Sequence, residues 1–499
     1  MKTTTKMLPL VAIVSGMLVG CGGSSSSGGG SAPTTSYSLS FLQAYDENAG
    51  TVNSTCTIFN RDTTAGTVKT YRTIGDSLDA NIVAFYTDAN GARSGEIITA
   101  DDGSLQFVLE SIPDGGAITF EERDGRDIIA TTFTKAFLSR DTSLKTTKFG
   151  VIGSVAGTSC VTGTGTNFVT ENRDSLSYLH SSDIAGSGLT GDNLYHYRSQ
   201  QAEFSPPNAS LTSGQSIKAY TAEQTAIVQY QSGPSSQVFQ YGFEDWPKDT
   251  GSVVMSFTGT QGTVTEVASP NIGYTDIDVN LLYGGFAYDL TTFAKGVANY
   301  YHPSETNNET WSFIVSGKTG PGNSWDAAYY GQVSDSWDFN VDETSLFDLS
   351  GLNDAKPTAS TPGNVISLAS GINFSSEKGI QRVSYRKSVT ESGFIYTVTH
   401  NIYSELTATI IVPVLEYFNF PSTVQSDLLV DNDAAYEQYF LFATENSTIE
   451  NADFVSLFKD GDGISLASEK NGIVRNELET NESSVRLQSN EHIRLYRSN

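Results

Sequence analysis

Histidine, cysteine and positive charge are all scarce in this chain. Its 499 residues include 5 His, 3 Cys and 4 Trp, and 56 acidic side chains stand against 29 basic ones. The formal net charge of -27 creates a field that repels phosphate backbones, so nucleic acid is not an expected partner. The histidines are scattered, with no H-E-x-x-H and no Cys/His cluster, which leaves no signature for zinc. Long apolar runs are missing too. The run Leu8 to Val19 is shorter than the ~20 residues a spanning helix needs. No segment recurs at the fixed period of a solenoid or propeller.

Catalytic sets are equally thin. Gly75-Asp76-Ser77-Leu78 resembles the signature block of the GDSL esterases, in which the serine is the nucleophile. That family places the block after an apolar strand, whereas Lys69-Thr70-Tyr71-Arg72-Thr73 precedes it here. The family also carries an Asp three residues before its catalytic His. Three before His180, His196, His302, His400 and His492 stand Ser177, Asn193, Asn299, Thr397 and Ser489. A serine without its base is a weak nucleophile, so a plain turn is the reading for Ser77 and a serine esterase the minor alternative. Gly186-Ser187-Gly188-Leu189-Thr190-Gly191 matches G-x-G-x-x-G but lacks the strand before and the helix start after that a pyrophosphate requires. Gly317-Lys318-Thr319 has Ser312 where a P-loop has its first glycine, and a hairpin turn after Val315 accounts for it. No enzyme activity and no cofactor are expected. Calcium is the metal that best suits the composition, because Asp431-Asn432-Asp433 and Asp460-Gly461-Asp462-Gly463 supply hard oxygens. Neither follows the twelve-residue calcium loop, and Asp-Gly pairs serve tight turns.

What the chain does have is concentrated at its start. Lys2 and Lys6, the apolar run and the small residues before Cys21 follow the order of an export signal. Leu18-Val19-Gly20-Cys21 resembles the lipobox of bacterial lipoproteins. The resemblance implies cleavage before Cys21, lipid on that cysteine, and a membrane partner reached through the lipid. Gly22 rather than Asp after the cysteine resembles the outer-membrane type. More than one acyl chain is needed for a stable anchor. The expected division is therefore a signal peptide over 1–20 and a lipidated, Gly/Ser-rich tether over 21–36. With Cys21 assigned to lipid, Cys56 and Cys160 remain as an even pair in an oxidising compartment, and one disulfide is expected.

The body reads as mainly β. Ile82 to Tyr86, Glu96 to Thr99, Leu105 with Phe107 and Leu109, and Ala117 to Phe120 are expected strands. Turns at Asp88–Gly91, Asp101–Gly103 and Pro113–Gly116 separate them. The stretch Ile82 to Glu122 resembles the Ig-like and carboxypeptidase-regulatory-like sandwich modules of bacterial surface proteins, which implies an antiparallel β-sandwich. Further strands are expected at Val253–Phe257, Ile277–Leu281, Trp311–Val315, Phe394–Thr399, Thr407–Val412, Val485–Leu487 and Ile493–Tyr496. Ser175–His180 and Ala222–Gln231 are open between helix and strand. Leu290 to Tyr301 has helical spacing of Phe293, Val297 and Tyr300, with Asp289 placed as N-cap. The expected domains are a disulfide-closed β-sandwich over 37–165, a β-rich middle over 166–355 and a β-rich C-terminal part over 356–499.

Trp325, Tyr329, Tyr330 and Trp337 cluster among Gly, Ser and Asp, as rings do on sugar-binding surfaces. Interleaved aromatics are also what a sandwich core supplies, and core packing is the favoured reading. Anchor, tether and a long acidic β-rich body together resemble the flagellar sheath lipoproteins of marine bacteria with membrane-covered flagella. The expectation is a structural or interaction role at the outer membrane, periplasmic or surface-facing, with other envelope proteins or glycans as partners. The alternative is a glycan- or surface-binding adhesin.

Overall fold

Alternation and turn chemistry build the first nine strands: β1 (Ser36–Asn48), β2 (Asn60–Asp62), β3 (Thr67–Thr73), β4 (Ile82–Thr87), β5 (Arg93–Thr99), β6 (Ser104–Val108), β7 (Ala117–Asp124), β8 (Asp127–Thr134) and β9 (Thr146–Gly150). A computed structural model describes residues 34–499 apart from breaks, the larger being 76–80, 152–159, 163–183, 186–193, 198–223, 231–237, 246–252, 264–270, 304–309, 334–338, 340–348, 373–378 and 459–471. In β6, Leu105 and Phe107 are buried on either side of exposed Gln106, as period-2 burial demands. The turn after β4 is held by Asp88, whose Oδ1 accepts from the N–H groups of Asn90 (2.8 Å) and Ala92 (3.0 Å). Gly91 has φ +78, and a Cβ there would lie 2.7 Å from the Val412 carbonyl oxygen, so only glycine fits.

The middle strands described are β10 (Ile184–Ala185), β11 (Leu194–Tyr197), β12 (Gln224–Tyr230), β13 (Val238–Asp245), β14 (Val253–Val254) and β15 (Phe257–Thr263). They are followed by β16 (Gly273–Tyr283), β17 (Phe286–Ala294), β18 (Asn299–Pro303), β19 (Thr310–Thr319) and β20 (Trp325–Gln332). The remainder are β21 (Thr358–Ala359), β22 (Val365–Ser367), β23 (Gly379–Glu391), β24 (Phe394–Glu405), β25 (Thr409–Ile411), β26 (Ala435–Ala443) and β27 (His492–Ser498). Helices are few and short among the described residues: α1 (Lys135–Ser139), α2 (Ser422–Asp427), α3 (Asn451–Ser456) and α4 (Glu477–Gln488). The chain is mainly β, as its patterning implies.

One sheet organises the body. Twelve strands run in the order β17-β16-β19-β20-β27-β26-β23-β24-β8-β7-β4-β5. β8 joins β24 in parallel, from Thr397 opposite Asp127 to Tyr403 opposite Phe133. β27 lies in the middle and pairs antiparallel with both β20 and β26. Each face of this sheet carries its own core. Phe85, Ile128, Tyr385, Phe440 and Leu495 belong to one, which β22, β25 and α2 help to cover. Ile118, Phe120, Phe133, Tyr403 and Leu441 belong to the other, beneath β1, β6, β9 and the helices α1, α3 and α4.

The N-terminal sandwich is present with a difference. Its first layer is the sheet β2-β3-β1-β6, with β9 also pairing β1. Its second layer, β8-β7-β4-β5, is one end of the large sheet. Cys56 and Cys160 are joined by the expected disulfide, closing a sequence separation of 104 residues. The boundaries expected at 165 and 355 do not divide the sheet, because strands from before, between and after them lie in it. Thr35–Asn499 forms one compact unit.

Three expectations of local structure are corrected. Leu290 to Tyr301 is not a helix: β17 and β18 occupy most of it, with Lys295 in a turn. β17 pairs with β16 from Tyr283 opposite Phe286 to Asp276 opposite Ala294, through a two-residue turn in which Gly284 (φ +61) and Gly285 (φ +86) are both left-handed. Asp289 is therefore a strand residue and caps nothing. Val485–Leu487 is helical, inside α4, whose start is a capping box. There, Asn476 Oδ1 accepts from Glu479 N at 2.9 Å, and Glu479 Oε2 accepts from Asn476 N at 2.8 Å. Gly317-Lys318-Thr319 continues β19 rather than turning, paired with Ala327, Asp326 and Trp325. Most of Ala222–Gln231 resolves as strand β12, while Ser175–His180 and Gly186–Gly191 lie outside the described residues.

Candidate functional site

Burial decides what the aromatic cluster does. Alternation along β20 turns Trp325, Ala327 and Tyr329 into the core of one sheet face. Trp325 is 0 % exposed, Tyr329 1 % and Tyr330 8 %. Trp325 Nε1 donates to the Asn353 carbonyl at 2.9 Å, and its ring packs against Phe440. The Tyr329 hydroxyl donates to the Glu491 carboxylate. Tyr330 stacks on His492 with ring centroids 4.2 Å apart. Rings enclosed in this way present no face to a sugar, so Trp325, Tyr329 and Tyr330 take the favoured core-packing role and not the alternative of a glycan surface. Trp337 lies outside the described residues, as do Cys21, Ser77 and Asp460–Gly463.

In the acidic turn Asp431-Asn432-Asp433, side-chain oxygens of Asp431 and Asn432 are engaged by protein donors. Asp431 Oδ2 accepts from Lys387 Nζ at 2.5 Å, and Asp431 Oδ1 from the Asp433 N–H at 3.1 Å. Asn432 Oδ1 accepts from the Ala359 N–H at 2.8 Å. This is an Asx-type turn pinned by a lysine. Among the described residues, no three His, Cys, Asp or Glu converge on a metal position.

Pairing across five adjacent strands lines up Glu121 (β7), Ala130 (β8), His400 (β24), Tyr385 (β23) and Tyr436 (β26) in one row. His400 is fully buried, with Nε2 2.7 Å from Thr132 Oγ1 and Nδ1 3.3 Å from the Tyr385 hydroxyl. Burial pulls it down to about 3, so the imidazole is neutral. No carboxylate orients it against a serine, and its partners are those of a satisfied core histidine.

Glu121 is the exception in this row. It is 0 % exposed; Oε2 accepts from the Glu416 N–H at 2.7 Å, while Oε1 has no hydrogen-bond partner among the described residues. Burial pushes the carboxyl up to about 8, against smaller downward effects of the Tyr417 backbone N–H and the charge of Arg93. The segment that supplies those N–H groups is strained. Tyr417 (φ +54) and Phe418 (φ +37) are consecutive left-handed residues with bulky side chains. Such conformations cost about 1–2 kcal/mol per residue and cluster at functional sites. Arg123 donates to the Phe418 carbonyl at 2.8 Å, and Gln425 to the Phe420 carbonyl at 2.7 Å. Arg93 forms an ion pair with Glu416.

Among the described residues, a cavity of about 420 Å³ opens between α1, the turn Gly115–Gly116, the end of β24 and β25. Ala117, Ile402, Leu406, Ile410, Ile411 and Pro413 form apolar walls. Lys135 at the rim is bonded to Asp114 at 2.7 Å. The size lies in the ~300–1,000 Å³ range of small-molecule sites. Its hydroxyls serve the fold: Ser139 donates to the Lys135 carbonyl, and Ser404 accepts from Gln381 Nε2. The lining supplies shape and apolar surface for a small guest and no nucleophile–base pair. No local sequence signal marks it, because its walls come from segments nearly three hundred residues apart. Glu121 escaped sequence reading for a related reason. Its strand is buried on both faces, so no alternation singles it out.

No protein-family model matches the chain, and a search of curated proteins finds no match.

Proposed function

We propose that the chain is a lipid-anchored envelope protein with a structural or docking role at the outer membrane. Cys21 would carry the lipid, the Gly/Ser-rich stretch would act as spacer, and the β-rich body as the working part. One observation carries this reading: charge, apolar run and small residues lead directly into Leu18-Val19-Gly20-Cys21, followed by the tether. The Cys56–Cys160 disulfide supports export, since such bonds persist in oxidising compartments. The buried, neutral His400 and the protein-satisfied Asp431 turn favour a non-catalytic role. The resemblance of anchor, tether and long acidic β-rich body to flagellar sheath lipoproteins makes the flagellar sheath the first setting to examine.

Labelling cells with a clickable palmitate analogue tests the anchor. The wild type is expected to carry label and to sediment with outer membranes and sheared flagella. Cys21→Ser is expected to lose both. Unlabelled wild type, or Cys21→Ser that still sediments with membranes, would sink the proposal.

A further inference from the structure

We propose that Glu121 and the segment Glu416–Phe420 form a latch, closed while the buried carboxyl keeps its proton and released when the proton leaves. When closed, the segment buries Tyr417 and Phe420 and donates the Glu416 N–H to Glu121 Oε2. Glu121 Oε1 has no hydrogen-bond partner among the described residues, so ionisation places there a charge answered by backbone N–H groups and by Arg93, whose effects are smaller than that of burial. Opening hydrates that charge and relaxes both left-handed residues, Tyr417 and Phe418. Two independent features, an orphaned buried oxygen and a strained segment, therefore meet at one place.

The surroundings leave Glu121 as the titrating group. From β5 comes Arg93, paired with Glu416 of the segment itself, and from β7 comes Arg123, which donates to the Phe418 carbonyl and lies over the Phe420 ring. β4 and β8 present Val83 and Ala130. β24 presents His400, which burial holds neutral with its titration down near 3. Tyr385 on β23, Tyr436 on β26 and Tyr417 are all held above the ordinary tyrosine range, by burial first, and stay neutral. The closed carboxyl titrates at about 8 against an ordinary 4.5, so the closed form binds the proton more tightly than the open one. Closure is therefore strongest at acid pH, weakens as pH rises from the ordinary carboxyl range, and levels off above about 8.

Hydrogen exchange on the full chain, corrected for the intrinsic pH dependence of exchange, reads this directly. Protection of the 416–420 amides is expected to fall about tenfold per pH unit between pH ~5 and ~8 and then flatten. In Glu121→Gln it is expected to be independent of pH. A Glu121→Gln profile that keeps the wild-type slope overturns the latch. So does wild-type protection that shows no inflection near 8, which decides the matter even if the variant does not fold. Amides of β23 and β24 serve as the control. If they lose protection in parallel with 416–420, the carboxyl acts on global stability and there is no separate latch.

Discussion

At the scale of single residues, burial rather than chemical type assigns each role. Trp325 reads in sequence as core first and sugar platform second, and in the fold it is core, with its indole N–H satisfied by Asn353 and its ring against Phe440. Trp325→Ala is expected to cost about 3–5 kcal/mol, seen as a lower denaturant midpoint with cooperative unfolding retained. A variant that folds as stably as the wild type yet loses glycan binding would restore the platform reading. Asp453 shows the same rule for charge. Burial raises its titration, but the bidentate contact of Arg486 (2.7 and 2.8 Å) and the Glu450 N–H bring it below the ordinary carboxylate value. Its contribution to stability is therefore present above the ordinary range and lost as pH falls, opposite in sign to Glu121.

At the scale of elements, local signals were legible wherever turn chemistry and alternation agreed. The strands around Asp88–Gly91 and Pro113–Gly116 lie where their sequence places them, because Gly91 and Gly115 supply the positive φ that each turn needs. Two signals were present and outweighed by weaker ones. Gly284-Gly285 marks a hairpin, yet the helical spacing of Phe293, Val297 and Tyr300 pointed elsewhere. Asn476 with Glu479 spells a capping box, yet Val485 and Leu487 resemble an alternating strand. In α4, Leu487 is buried against the N-terminal layer, so what looks like strand alternation is one turn of an amphipathic helix. β27 joins β17-β16-β19-β20 to the rest of the sheet, pairing with β20 on one side and β26 on the other. Leu495 in β27 is 0 % exposed, and Leu495→Asp would bury an unpaired charge there. A loss of at least about 4 kcal/mol is expected, read as loss of soluble protein and of the near-ultraviolet signal. Wild-type yield and unfolding midpoint would show that the two halves do not depend on β27.

At the scale of the whole molecule, the order of strands in the large sheet has energetic consequences. Pairing β8 with β24 brings together residues more than 260 positions apart, and such closures cost chain entropy before contacts repay it. The disulfide acts separately, restricting the unfolded chain within the N-terminal layer over a separation of 104 residues. Replacing Cys56 and Cys160 together with alanine is expected to remove about 2–5 kcal/mol, measured as a shift of the urea midpoint that reductant reproduces in the wild type. No change in either experiment would show the bond to be dispensable to the fold.

The sequence by itself determined the mainly β character, the turns of the first strands, the single Cys56–Cys160 pair and the candidate anchor at Cys21. These rest on periodicity, on residues that tolerate positive φ and on cysteine parity, all of which act within a few residues or by counting. Tertiary structure alone decided that β4, β5, β7 and β8 belong to a sheet shared with strands beyond residue 270. It also decided that walls from distant segments enclose a cavity, and that Glu121 lies buried beneath a strained loop. Those outcomes depend on which strand pairs with which, and pairing energy comes from faces that meet only once the chain has folded.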